Sequence, residues 1–258
     1  MINDITILPG FNKAGIKENF SELTLKTGET VSIIGPTGSG KTALITDIEL
    51  LAQEDTSTGR KIFINGESPL DEYRYNPSMK PISMITQNTK CFADLTTEDF
   101  LELHARSRGI KGHQIISDTI ELANNFTGEK IIKETKVTIL SGGQTRSLLI
   151  ADAVLIGLAP VILLDEIENA GIFKQEVLEM IQSSGKIVIF VTHDPVIALL
   201  TKKRIIMKNG GVTRVINQNE LEVKTAHKLM ELDKKVSILR ENLRSGNILT
   251  NELAVNFA

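Results

Sequence analysis

The eight residues Gly35-Pro36-Thr37-Gly38-Ser39-Gly40-Lys41-Thr42 constrain this chain more than any other stretch of it. They complete the spacing G-x-x-x-x-G-K-[ST], and their flanks matter as much as the spacing. Val31-Ser32-Ile33-Ile34 ahead of them reads as a buried strand, and Ala43 to Ile48 behind them as a helix. A glycine-rich turn in that place lets the backbone fold round an anion. Successive N–H groups from about Gly38 to Thr42 then point inward at the positive end of the helix dipole. In such a loop Gly35, Thr37, Gly38, Ser39 and Gly40 wrap the phosphates and Lys41 reaches the β- and γ-phosphates. The Thr42 hydroxyl binds Mg²⁺. A chance glycine-rich turn is the competing reading, and the strand and helix on either side argue against it.

Three further motifs suit the same chemistry. Val161-Ile162-Leu163-Leu164-Asp165-Glu166 is an aliphatic strand ending in two acids, and open parallel sheets bind ligands at strand carboxyl ends. There Asp165 can hold Mg²⁺ through its water shell and Glu166 can polarise an attacking water. Alone, the pair would read as a solvated turn or a helix cap. Leu140-Ser141-Gly142-Gly143-Gln144 precedes a helical stretch from Thr145 to Leu158, so it reads as a second helix N-terminus with a hydroxyl and bare N–H groups for a phosphate. The plainer alternative is a serine N-cap. One phosphate loop already serves its own triphosphate, so a second anion-seeking loop implies a further ligand, such as a nucleotide held by another copy of the chain. His193, after the strand Lys186 to Val191, and Gln87, after the strand Ile82-Ser83-Met84-Ile85, fall on the same rim. The histidine is placed to touch a γ-phosphate and the glutamine to touch water or Mg²⁺.

The near-continuous aliphatic runs at 161–164 and 186–191 predict strands covered on both faces. Ile5 to Leu8 and Leu23 to Leu25 alternate like half-buried strands. Lys61 to Ile64 ends at the turn Asn65-Gly66, and a hairpin over 204–216 turns at Asn209-Gly210-Gly211. Residues 67–80 read as loop. From Thr96 to about Thr138 helical spacing takes over. Leu229, Leu232, Val236, Leu239 and Leu243 recur three and four residues apart near the end, either an amphipathic helix packed on its own domain or an association helix.

Charge and cysteine content bound the partners and the compartment. With 29 basic against 32 acidic residues and a net charge of −3, no global charge favours nucleic acid or a membrane surface. One cysteine, Cys91, excludes an internal disulfide or a cysteine-built metal site and suits a reducing compartment. Met1 to Asp4 lacks the pattern of a signal peptide, and no apolar run approaches the roughly 18–20 residues of a membrane span. A soluble intracellular chain is the expectation.

From about residue 3 to residue 216 the order and spacing of these motifs resemble the ATP-binding cassette ATPases. Leu140 to Gln144 matches the signature that separates that family from other phosphate-loop proteins. The resemblance implies an α/β phosphate-loop NTPase core, with a mixed sheet flanked by helices and an antiparallel N-terminal β part. A cassette domain over 1–216 would hold an inserted helical subdomain at about 92–140, and residues 217–258 would form a C-terminal helical extension.

The resemblance also implies a head-to-tail homodimer with two ATP molecules. Each lies between the phosphate loop of one copy and Ser141-Gly142-Gly143-Gln144 of the other. Glu166 is then the general base, His193 the γ-phosphate switch and Gln87 the sensor beside Mg²⁺. An N-terminal aromatic stacks on adenine, and counting back from Lys41 gives Phe11, ahead of Phe20. Two departures from the family pattern stand out: Ile167 to Phe173 lacks the interface aspartate, and Thr145-Arg146-Ser147 thins the usual Gln/Arg run.

Two roles share these residues. One is a cytoplasmic energy-coupling subunit bound to a separate membrane-spanning permease at the inner face of the membrane. The other is a soluble ATPase acting on a protein, metallocofactor or nucleic acid. Phe92, Leu95 and Phe100 lie where transporter members meet their membrane partners, and subdomain core would explain them as well.

Overall fold

The structure is a computed structural model and describes residues 2–166, 178, 180–181 and 183–248. Its elements begin β1 (Asp4–Leu8), β2 (Leu23–Lys26), β3 (Thr30–Ile34), α1 (Lys41–Glu49), β4 (Lys61–Ile64), α2 (Asp71–Tyr75) and β5 (Ile82–Ile85). They continue with α3 (Thr97–Ser107), α4 (Gln114–Asn125), a 3-10 turn over Val137–Ile139, α5 (Gly142–Leu155), β6 (Val161–Asp165) and β7 (Ile187–Val191). The last are α6 (Pro195–Leu200), β8 (Lys203–Lys208), β9 (Gly211–Asn217) and α7 (Glu220–Arg244).

Two sheets follow from two sequence patterns. The alternating N-terminal segments pair antiparallel in the order β2-β1-β4. The aliphatic runs build a six-stranded sheet in the order β5-β6-β7-β3-β8-β9, in which only β9 runs antiparallel to its neighbour. Successive strand residues point to opposite faces, and here both faces are covered. Val161, Leu163, Ile187 and Ile189 join one apolar cluster with the N-terminal sheet and with Leu44, Ile45 and Ile48 of α1. Ile162, Leu164, Val188 and Phe190 join a second with Leu101 of α3, Ile116 of α4 and Leu148 of α5. Each of these sheet residues is at most about one per cent exposed, which is why the runs carry no polar alternation.

The helices start where capping chemistry allows. Thr96 caps α3 by accepting from the Asp99 N–H, and Asp194 caps α6 by accepting from Val196 and Ile197 N–H. Residues 67–80 are not all loop: Asp71–Tyr75 forms the short helix α2, with Asp71 and Glu72 in its first turn where the dipole favours acids. The helix expected from Thr145 begins instead at Gly142, because Ser141 is its N-cap.

The 25-residue helix α7 packs on α6. Ala226 is buried and Leu229 half-buried, whereas Leu232, Val236 and Leu243 stay exposed. Packing on its own domain thus accounts for Leu229 at the start of the seam and leaves Leu232, Val236 and Leu243 uncovered. No helix among the described residues is long and apolar enough to cross a membrane.

Candidate functional site

Strands β3, β5, β6 and β7 run parallel, so their carboxyl ends share one edge of the sheet. That edge gathers residues far apart in sequence: the loop Gly35 to Lys41 after β3, Gln87 after β5, Asp165 and Glu166 at the tip of β6, and His193 after β7. It is the edge on which parallel α/β sheets place ligands.

The loop turns tightly before α1. Gly40 has φ +98°, and a Cβ there would lie 2.7 Å from the Cα of Gly210 in the β8–β9 turn, so only glycine fits. Gly210 N–H in turn donates to the Ser39 carbonyl at 2.8 Å. Lys41 is buried and its Nζ lies across the loop, donating to the Gly35 carbonyl at 2.8 Å and the Pro36 carbonyl at 3.3 Å. The Ser39 hydroxyl is buried with no hydrogen-bond partner among the described residues. An orphaned buried donor beside a cation and a helix N-terminus fits phosphate oxygens. Thr42, next along, is exposed at the helix start.

Lys41 Nζ also lies 3.2 Å from His193 Nε2, and an ammonium can only donate in such a contact. Glu166 Oε1 is 3.7 Å from the same nitrogen, close but not hydrogen-bonded. The Glu166 N–H donates to the Val191 carbonyl at 2.9 Å, yet its φ is +51°. A left-handed backbone at a non-glycine residue costs about 1–3 kcal/mol and is concentrated at functional sites. Here it sits at the tip of the strand that carries the carboxylate. Asp165 precedes it at the end of β6, half-buried.

Ser141, Gly142, Gly143 and Gln144 form the first turn of α5. Ser141 Oγ accepts from the Gln144 N–H, and Gln144 Oε1 accepts from the Ser141 N–H. The capping reading and the anion reading of this stretch are therefore compatible, because the cap leaves the glycine N–H groups at the helix end. Ser141 and Gly142 are exposed. Gln144 also donates toward the Glu129 and Lys130 carbonyls, and Arg146 Nη2 donates to the Gln87 carbonyl at 2.8 Å. The thinned run at 145–147 thus still ties the start of α5 to the Gln87 loop. The altered loop Ile167 to Phe173 lies outside the described residues.

Of the two N-terminal aromatics, Phe20 packs against the core cluster, whereas Phe11 is half exposed with its ring against Gly59. Residues 19–169 match the family described as ABC transporter. The chain belongs to this family.

Its relatives cover much of the chain. An uncharacterized ABC transporter ATP-binding protein of Methanocaldococcus jannaschii is 49% identical over 251 residues, which cover 97% of this chain and 96% of that one. The macrolide export ATP-binding/permease protein MacB of Campylobacter jejuni is 30% identical over 92% of this chain, which spans only 37% of that protein. The dimeric structure of a post-hydrolysis state of an ATP-binding cassette, bound to ADP and Pi, superposes with a TM-score of 0.62 at 25% identity. It covers 83% of this chain and 99% of its own. The protein is thus an ATP-binding cassette ATPase, with the phosphate-loop α/β fold.

The structure also brings to this cassette residues that the sequence reading passed over. Lys13 Nζ donates to the Gly38 carbonyl at 2.7 Å, bringing a second lysine to the phosphate loop from the loop between β1 and β2. Behind it lies a buried ion cluster: Arg60, fully buried, reaches Glu18 at 2.7 Å and Asp47 at 2.9 Å. No local pattern announces these three residues, which stand in a loop, a helix and a strand approach. The candidate partner contacts also divide, since Phe100 packs into the core, Leu95 is half-buried and Phe92 is exposed.

The cluster sets an acid limit on stability. Burial pushes the Glu18 carboxyl up, but hydrogen bonds from Arg60, Val212 N–H and Gly10 N–H outweigh it and hold the group below the usual carboxylate range. A group depressed in the folded state contributes stability that is present above its unfolded value and is lost as pH falls through the folded one. Glu18→Gln should therefore melt below wild type at neutral pH, and the difference should close progressively below about pH 4.5. A melting difference that stays constant from pH 7 to pH 3 would rule the linkage out.

Proposed function

We propose that this cassette binds Mg-ATP between two head-to-tail copies, hydrolyses it there, and drives a separate membrane-spanning permease from the cytoplasmic face. The observation that carries the reading is the meeting of Lys41, His193 and Glu166 within 3.2 and 3.7 Å at the carboxyl edge of the parallel strands. A cation for the phosphates, a ring nitrogen and a carboxylate base are the groups that in-line attack on a γ-phosphate needs, and their convergence supports the reading. Phe11 offers an exposed ring to adenine. Thr42, Asp165 and Gln87 offer oxygens of the kind Mg²⁺ prefers, and the ion would neutralise charge developing on the β- and γ-phosphates. Glu166 takes a proton from water as the water oxygen bonds to the γ-phosphorus and the bond from that phosphorus to the β-phosphate oxygen breaks, giving ADP and phosphate. Ser141 to Gln144 of the second copy complete the site, as the dimeric ADP-bound relative and the exposed α5 start support.

His193→Ala tests the convergence. ATP affinity should stay within about threefold of wild type while turnover falls by about a hundredfold or more, because the contact matters as charge shifts on the γ-phosphate. Equal losses in both would place His193 in ground-state binding instead. The permease is supported by MacB, which carries ATP-binding and permease functions in one name, and by the exposed Phe92. Purification from membranes with a multi-span protein, lost on Phe92→Asp, would bear it out; a fully soluble, permease-free pool would favour the soluble ATPase.

A further inference from the structure

Arg60 is the largest fully buried side chain among the described residues, and nothing in the proposed chemistry uses it. Its guanidinium donates Nε to Glu18 Oε2 at 2.9 Å, Nη2 to Glu18 Oε1 at 2.7 Å, Nη1 to Asp47 Oδ2 at 2.9 Å and Nη2 to the Gly210 carbonyl at 3.0 Å. Glu18 also accepts from Gly10 N–H at 2.9 Å and Val212 N–H at 2.6 Å. Asp47 accepts from the Thr58 hydroxyl. One fork therefore joins three parts of the chain. Gly10 and Glu18 bracket the loop that carries Phe11 and Lys13. Asp47 lies on α1, the helix that the phosphate loop opens. Gly210 lies in the β8–β9 turn and Val212 near the start of β9.

Those parts meet again at the nucleotide site. A Cβ on Gly210 would lie 2.7 Å from Lys13 Cγ, and one on Gly40 the same distance from Gly210. Lys13 N–H donates to the Asn209 carbonyl at 3.0 Å, and its ammonium to Gly38. The loop bearing Phe11, the 209–211 turn and the phosphate loop thus stack in sequence, and the Arg60 fork ties that stack together from behind. A fork of five donors in one plane can serve two carboxylates and a carbonyl at once, which an ammonium on a flexible stem cannot.

We propose that Arg60, with Glu18 and Asp47, is a positioning residue of the nucleotide site: it sets the Phe11 loop at the distance from the phosphate loop that lets one ATP touch both. The proposal rests on the reading of Phe11 as the adenine contact. Without the fork each half stays formed but their spacing is no longer held, and a displacement of about 1 Å is costly for a ligand held at both ends.

The test compares Mg-ATP with Mg-tripolyphosphate, which engages the phosphate loop alone, by calorimetric titration of Arg60→Lys and Glu18→Gln. Arg60→Lys should weaken ATP by about tenfold or more and tripolyphosphate by no more than about threefold. Glu18→Gln keeps the shape of the cluster and should move the ratio of the two affinities in the same direction by about threefold. It decides the matter if Arg60→Lys fails to fold. Proportional losses for both ligands, as general loosening would give, overturn the proposal, and so does an unchanged ratio. Phe11→Ala is the control. A fall there without one in either cluster variant sinks this inference alone, whereas a Phe11→Ala ratio equal to wild type sinks the adenine reading and the inference with it.

Discussion

Lys41→Ala should abolish measurable ATP hydrolysis, a loss of at least about a hundredfold, and should weaken Mg-ATP binding as well. The expected size comes from the kind of site this is. Phosphoryl transfer asks the protein mainly for position and charge, and removal of a single preorganised donor from such a site costs about 10²–10³ in rate. Lys41 is more than one donor: it is a buried cation that three acceptors already orient, the Gly35 and Pro36 carbonyls and His193. The substitution also deprives His193 of its neighbour, so both steps suffer. Steady-state phosphate release and equilibrium ATP titration together check the point. Unchanged affinity and turnover would remove the loop 35–42 from the site.

The second large effect concerns assembly. Glu166→Gln keeps a group that can hydrogen-bond to water and removes the base, so ATP should be held at the interface without being split. Light scattering should then give a dimer with ATP and Mg²⁺ and a smaller species with ADP. Ser141→Arg added to it places a bulky cation at the exposed start of α5, where Ser141 caps the helix. The double variant should lose the ATP-driven association and still bind ATP through Lys41. Identical mass for both variants, with and without ATP, would refute a site shared between copies. A dimer that persists in ADP and disappears on truncation before Leu221 would instead assign association to the exposed Leu232, Val236 and Leu243 of α7.

Most of the candidate site residues of this cassette are readable in the chain because a local pattern sets them. A glycine-rich turn between strand and helix, two acids at the end of an aliphatic run and a serine three residues before a glutamine act through backbone and neighbours only. The same locality explains the strands: Val161 to Leu164 and Ile187 to Val191 lack polar residues because both of their faces are buried. What tertiary structure alone decided is which of these segments lie side by side. The insertion of β3 between β7 and β8 pairs Val31 with Ile189 and Lys203, and no spacing in the sequence encodes that order. It brings Lys41 to His193 across 152 residues. The Arg60 cluster was illegible for the same reason. Arg60 stands 42 residues from Glu18, 13 from Asp47 and 150 from Gly210. A charged residue in a sequence reads as solvated until the fold shows what surrounds it. Burial is a property of the packed chain, and only there does the cost of desolvating a guanidinium require the two carboxylates that meet it.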